Sequence, residues 1–307
     1  MNTTRCYYSK KSMARKTGES IIKMLHNKYK CVRDKKVPFP QEHSNFSNCI
    51  IGNAPPKSGT YLLNSIFNYL DNWKNIGIHI LNTHYIDFGN YDVDVDTRRV
   101  YRSATENVKK LKNGQLIAAH LPWSKKLDEI LSEQWEGHSL KHVLMIRDPR
   151  DTAVSRMRYT TYAKNFVHDQ ETRAVRKFML EEFKNDDERL AYVLQEHLAR
   201  GDFALYLNWF KHSNTYLVRF EKLYPELCAL NVDGFGPTFK GLFKYLEVDI
   251  ENHDPVLLKE RVLGKSLTSS GLKEKIAQYR KVFKKQHYAL INNAEVKENI
   301  ERFGYKY

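Results

Sequence analysis

A six-residue apolar run, Asn48–Asn53 (NCIIGN), passes directly into the loop Ala54–Gly59 (APPKSG) and then into a segment of helical period, Thr60–Asn72. The run is short, barely alternating and bounded by turn residues. It reads as a strand buried on both faces, the kind found in parallel sheets. Three further runs share this character: Gln115–Ala119 (QLIAA), His142–Ile146 (HVLMI) and Thr215–Phe220 (TYLVRF). Helical patterns fall between them, over Thr60–Asn72, Ser124–Gln134, Thr152–Tyr162 and Asp187–Lys211, and the chain reads as helical from Gly236 onward. Strands alternating with helices predict an α/β fold with a central parallel sheet flanked by helices. Ligands of such sheets bind beyond the carboxyl ends of the strands, so chemistry is expected in the polar residues that follow each run.

The 307 residues suit one large α/β domain or two modest ones, so length alone does not decide the domain count. Residues 1–45 are polar and basic and read as an N-terminal extension, with a short helix over Glu19–Tyr29 and an extended entry at Pro38-Phe39-Pro40. Residues 46–307 then form a single domain. Lys and Arg number 50 against 36 Asp and Glu, a formal net charge of +14. Such an excess favours an anionic partner but does not choose among nucleic acid, acidic membrane and a phosphorylated or sulfated ligand. The four cysteines, Cys6, Cys31, Cys49 and Cys228, form no C-x-x-C pair and match no zinc spacing. They read as reduced thiols of a cytoplasmic protein. No apolar run approaches the length of a membrane span, and the N-terminus lacks the apolar core of a secretory signal.

Two segments have the makings of anion sites. In the first, the loop Pro55-Pro56-Lys57-Ser58-Gly59-Thr60 joins a strand to a helix N-terminus. Free N–H groups and the helix dipole point at whatever binds there; Lys57 adds a charge, and Ser58 and Thr60 add hydroxyls. Aligned on Lys57-Ser58, the two glycines of a nucleoside-triphosphate loop would fall on Ile51 and Pro56, so that pattern fails. In the second, Arg147 follows the run HVLMI and Ser155 lies eight residues on. Asp148 suits an N-cap, Pro149 the first helical position, and an arginine fork plus a hydroxyl suits a terminal phosphate. Between the two lies His120, directly after the run QLIAA, with a side chain suited to general-base work near neutral pH.

These segments resemble the PAPS-dependent sulfotransferases of the cytosolic and bacterial small-molecule type; PAPS is 3′-phosphoadenosine-5′-phosphosulfate. PPKSGTYLL is similar to the family's P-K-S-G-T-x-x-L loop, which implies that Lys57, Ser58, Gly59, Thr60 and Tyr61 hold the 5′-phosphosulfate, with Lys57 on the bridging oxygen. Arg147 to Ser155 is similar to R-[DN]-P-[RK]-D-x-x-x-S, which implies a grip on the 3′-phosphate. His120-Leu121-Pro122 resembles the segment carrying the catalytic base, although Ala118 stands where many animal members have a lysine. Arg219 to Leu223 resembles R-[YF]-E-D-L, with Lys222 in place of aspartate; Phe220 suits either stacking on adenine or the core. Of a late R-K-G-x-x-G-x-W stretch, Leu272–Tyr279 keeps Lys273, with Tyr279 for the tryptophan. The resemblance implies a P-loop-like sulfotransferase fold, PAPS as co-substrate with PAP as product, no metal, and a small-molecule acceptor rather than nucleic acid or membrane.

The acceptor is written faintly. His84–Asp96 (HYIDFGNYDVDVD) gathers carboxylates and aromatics, among them Tyr85, Asp87 and Tyr91, within a basic chain. A solvated loop and a wall for a cationic acceptor, such as a saxitoxin-like guanidinium alkaloid, both suit this composition. Two other classes compete with the transferase reading: a P-loop-type metabolite kinase, and a non-enzymatic nucleic-acid-binding protein, which would account for the charge alone.

Overall fold

A computed structural model describes residues 48–70, 73–80, 108, 111–123, 125–135, 139–162, 170–199, 201–264 and 275–307. Five strands form one sheet: β1 (Asn48–Asn53), β2 (Lys74–Ile80), β3 (Gln115–Ala119), β4 (Ser139–Ile146) and β5 (Thr215–Arg219). All neighbours pair in parallel, in the order β2-β3-β1-β4-β5. Before β5 the chain supplies helices α1 (Thr60–Tyr69), α2 (Lys125–Trp135), α3 (Pro149–Tyr162), α4 (Gln170–Glu182) and α5 (Asp186–Val193). After β5 come α6 (Phe220–Ala229), α7 (Pro237–Leu246), α8 (Pro255–Gly264), α9 (Tyr279–Val282), α10 (Lys285–Ile291) and α11 (Ala294–Arg302). This is the α/β architecture expected from the sequence, a central parallel sheet flanked by helices.

Successive side chains of a strand point to opposite faces, so the sheet divides the apolar residues into two cores. Ile51, Ile117, Leu144 and Ile146 face a core shared with α2, α3, α5 and α11. Ile50, Leu116, Val143 and Met145 face the other, shared with α1, α6, α7 and α8. With both faces covered, the strands need no polar alternation, which is why they read as continuous apolar runs.

Four differences from the sequence reading have local causes. Strand β2 (KNIGIHI) is a fifth strand at the sheet edge; its glycine and polar residues hide the apolar signal. Helix α4 lacks a counterpart among the predicted elements. Phe220 opens α6 rather than closing β5. The helix expected over Asp187–Lys211 breaks into three pieces: α5, a π turn at Leu194–Leu198 and a 3-10 helix at Asp202–Lys211. The N–H of Ala199 reaches back five residues to the Leu194 carbonyl, and Gly201 takes a left-handed φ of 74° that ends the α path. The basic segment 1–45 lies outside the described residues.

Candidate active site

The loops after β3, β1 and β4, three adjacent strands, converge at their carboxyl ends. After β1, the N–H of Ser58 donates to the Pro55 carbonyl at 3.1 Å and closes a turn. Lys57 sits at φ 70°, in the left-handed region, a strain usually kept for a purpose. Gly59 follows at φ 110° as the residue before α1; a Cβ there would lie 2.5 Å from Met145 Sδ and 2.9 Å from Phe220 Cδ2. Only glycine lets the chain turn here. The first N–H groups of α1 have no acceptor within the helix, and no side chain caps them. Ser58 Oγ and Thr60 Oγ1 are buried without a hydrogen-bond partner among the described residues. The Tyr61 side chain is exposed.

After β4, Asp148 caps α3 by accepting the Arg150 N–H at 2.9 Å, with Pro149 at the first helical position, as predicted. Arg147 is 6% exposed. Its guanidinium donates to the Lys57 carbonyl at 3.5 Å and to the Lys275 carbonyl, faces Asp151 at 3.6 Å, and lies 4.6 Å from the centre of the Phe220 ring. Burial pushes its pKa down, and the carboxylates of Asp151 and Glu221 pull it back. Its Nε has no partner among the described residues. Ser155 lies two turns into α3, partly buried.

After β3, His120 is fastened to the first loop. Its main-chain N–H donates to Ile80 at 2.8 Å, and its Nδ1 lies 2.6 Å from the Ala54 carbonyl. A carbonyl only accepts, so Nδ1 carries the hydrogen and Nε2 is the basic nitrogen of the neutral ring. Lys57 Nζ rests 3.3 Å from the centre of the Tyr159 ring on α3. Burial, and then Arg147 and Arg156, bring its pKa down to about 7.

A family model described as the sulfotransferase domain matches residues 49–227, more than half of the chain, and includes all three loops. The chain belongs to this family of PAPS-dependent sulfotransferases. No curated protein sequence matches it. Mouse sulfotransferase SULT7A1, solved in complex with PAP, is 15% identical over 85% of this chain and 90% of that one, with a TM-score of 0.45. A retinol dehydratase solved with androsterone and inactive cofactor PAP is 12% identical over 86% and 81%, with a TM-score of 0.42. A sulfotransferase from Alicyclobacillus acidocaldarius is 13% identical over 86% and 98%, with a TM-score of 0.40. The family assignment rests on the matched residues and their motifs rather than on these overlays.

In this sulfotransferase, Lys57, Ser58, Gly59, Thr60, His120, Arg147 and Phe220 meet at one edge of the sheet, and Ser155 stands on the helix behind Arg147. The Phe220 ring stacks with that of Tyr224, their centres 5.2 Å apart, and meets the Arg147 guanidinium at 4.6 Å. Lys273 and the acceptor candidates Tyr85, Asp87 and Tyr91 lie outside the described residues. The late segment nevertheless returns to the site. Asp151, fully buried, accepts the N–H groups of Ala277 and Tyr279 at 2.8 and 3.0 Å, and Arg150 lies over the Tyr279 ring at 4.2 Å. Beyond it, the Tyr305 hydroxyl donates to Glu221, and Arg150 to the Lys306 carbonyl. Tyr159 and the strap role of Asp151 had no local signal; both depend on partners from distant segments. Among the described residues no cluster of His, Cys, Asp or Glu is placed to hold a metal, and no helix is long and apolar enough to cross a membrane.

Proposed function

We propose that this site moves the sulfuryl group of PAPS to a hydroxyl or amine of a small acceptor, with His120 as general base. The observation that carries the reading is the contact between the two basic loops. Arg147 reaches the Lys57 carbonyl, while Ser58 Oγ, Thr60 Oγ1 and Arg147 Nε are buried donors with no partner among the described residues. Unpaired buried donors are costly, about 1–3 kcal/mol each, and a bound polyanion would satisfy them. PAPS, when bound, supplies an activated sulfuryl group on a phosphate leaving group. Ser58, Thr60 and the first-turn N–H groups, Tyr61 included, hold the phosphate nearest the sulfur, and Lys57 neutralises the charge that collects there. Arg147 and Ser155 hold the 3′-phosphate; Phe220 and Lys273 belong to the nucleotide side. Nε2 of His120 takes the acceptor's proton.

Residues 46–307 act as one unit on this reading, since Arg147, Asp151 and Arg150 are tied to residues 275–279 and 306. Tyr85, Asp87 and Tyr91 favour a cationic, guanidinium-bearing acceptor; Asp87→Asn should weaken such a substrate and leave neutral phenols alone.

Thermal unfolding with PAP against MgATP tests the donor, because a ligand specific to the native state raises its stability. PAP should raise the Tm and MgATP should not. His120→Ala should keep the PAP shift and lose about 10²–10⁴-fold in turnover. Stabilisation by MgATP alone, or wild-type turnover by His120→Ala, overturns the proposal.

A further inference from the structure

We infer that Asn53 is a positioning residue for His120, setting the direction of its ring through the next peptide. The inference rests on the reading of His120 as the base. Strand β1 ends at Asn53 and β3 at Ala119, and one more main-chain rung follows, from the Ala54 N–H to the Ala119 carbonyl at 3.1 Å. The Asn53 side chain continues the ladder. Its Oδ1 accepts the Leu121 N–H at 2.8 Å, and its Nδ2 donates to the Leu121 carbonyl at 2.9 Å. A side-chain amide has the same donor and acceptor as a peptide, and here it holds both main-chain polar groups of Leu121, its N–H in the His120–Leu121 peptide and its C=O in the peptide after that. Trp209 Nε1 donates to the same carbonyl at 2.9 Å. One residue on, Ala54 accepts His120 Nδ1–H at 2.6 Å. Consecutive residues of β1 and its loop thus fasten consecutive residues of the catalytic turn.

The orientation of the Asn53 amide is itself fixed. Nδ2 lies 3.1 Å from His142 Nε2, and His142 Nδ1 lies 2.8 Å from Thr215 Oγ1. Asn53 and His142 are both wholly buried, and burial holds the His142 ring down to about 3, neutral at any working pH. With Nε2 accepting, Nδ1–H donates to Thr215. The chain of bonds crosses from β5 through β4 to β1. Flipping the Asn53 amide would set its oxygen against the Leu121 carbonyl and its NH2 against the Leu121 N–H. Asn53 touches neither donor nor acceptor; it acts through His120.

Ring nitrogen NMR on the full chain tests this, with His120 identified by the signal lost in His120→Gln. Wild type should show His120 protonated at Nδ1. In Asn53→Ala the ring should become a mixture of tautomers, and Asn53→Asp, of the same size and able to donate as the neutral acid, should restore most of the signal. Turnover of Asn53→Ala with PAPS and a phenol un-ionised at the assay pH should fall about 10–100-fold, the cost of misplacing a reacting group, while PAP binding changes less than about threefold. A phenol already ionised needs no base and should lose far less. A folded Asn53→Ala with an unchanged His120 ring overturns the inference, and so does equal loss with both phenols. If Asn53→Ala does not fold, Thr215→Val frees the His142 tautomer and should shift the His120 ring in the same sense; no shift there also overturns it. Wild-type turnover by His120→Ala would instead sink the base assignment, a result distinct from an inert Asn53→Ala beside an inactive His120→Ala.

Discussion

The ammonium of Lys57 rests 3.3 Å from the centre of the Tyr159 ring, so the first loop leans on the helix that follows the second. Burial, and then Arg147 and Arg156, lower the Lys57 pKa from 10.5 to about 7. A bound phosphate favours the ammonium and raises that pKa again. Binding therefore takes up a proton whenever Lys57 is neutral beforehand, which is the case above pH 7. PAP affinity should be level below pH 7 and fall towards tenfold per unit above it, the slope of one linked proton. Calorimetry in buffers of different ionisation heat reads the proton uptake directly. Lys57→Arg, charged throughout, should flatten the profile; an unchanged slope in that variant assigns the proton elsewhere.

Gly59→Ala should damage both stability and nucleotide binding. The new Cβ meets Met145 and Phe220 at a φ of 110°, where an L-residue is strained. Strain and overpacking together cost about 2–4 kcal/mol, visible as a lower Tm in thermal unfolding. The remaining folded protein should gain less stabilisation from PAP than wild type does. Full retention of Tm and of the PAP shift would show that the loop can rearrange freely.

Asp151→Ala should loosen the C-terminal strap. It leaves the N–H groups of Ala277 and Tyr279 without their acceptor and the buried Arg147 without its nearest carboxylate. The expected loss is about 3–5 kcal/mol of unfolding free energy in denaturant titration, as for breaking one side of a buried ion pair. Asp151→Asn keeps one acceptor oxygen and should cost less. Hydrogen exchange should rise first in residues 275–283, and equal protection in wild type and Asp151→Ala would remove the strap.

The strand–loop–helix unit from Asn48 to Tyr69, the helix start at Pro149 and the order of the three loops are written in the residues alone. Each of these rests on local physics: a run of apolar residues, a glycine where the backbone must turn left-handed, a proline and an aspartate where a helix begins. Edge strand β2 escaped because its glycine and polar residues interrupt the apolar run, and the break after Val193 escaped because π and 3-10 turns keep much the same apolar spacing as an α-helix. It takes the folded chain to bring Arg147 to Lys57, Lys57 onto Tyr159, Asp151 to residues 277 and 279, and Asn53 to Leu121. Those pairs lie 68 to 128 residues apart in the chain. No propensity encodes such a meeting; it follows from parallel strands delivering their carboxyl ends to one edge, where burial makes each polar group find its partner.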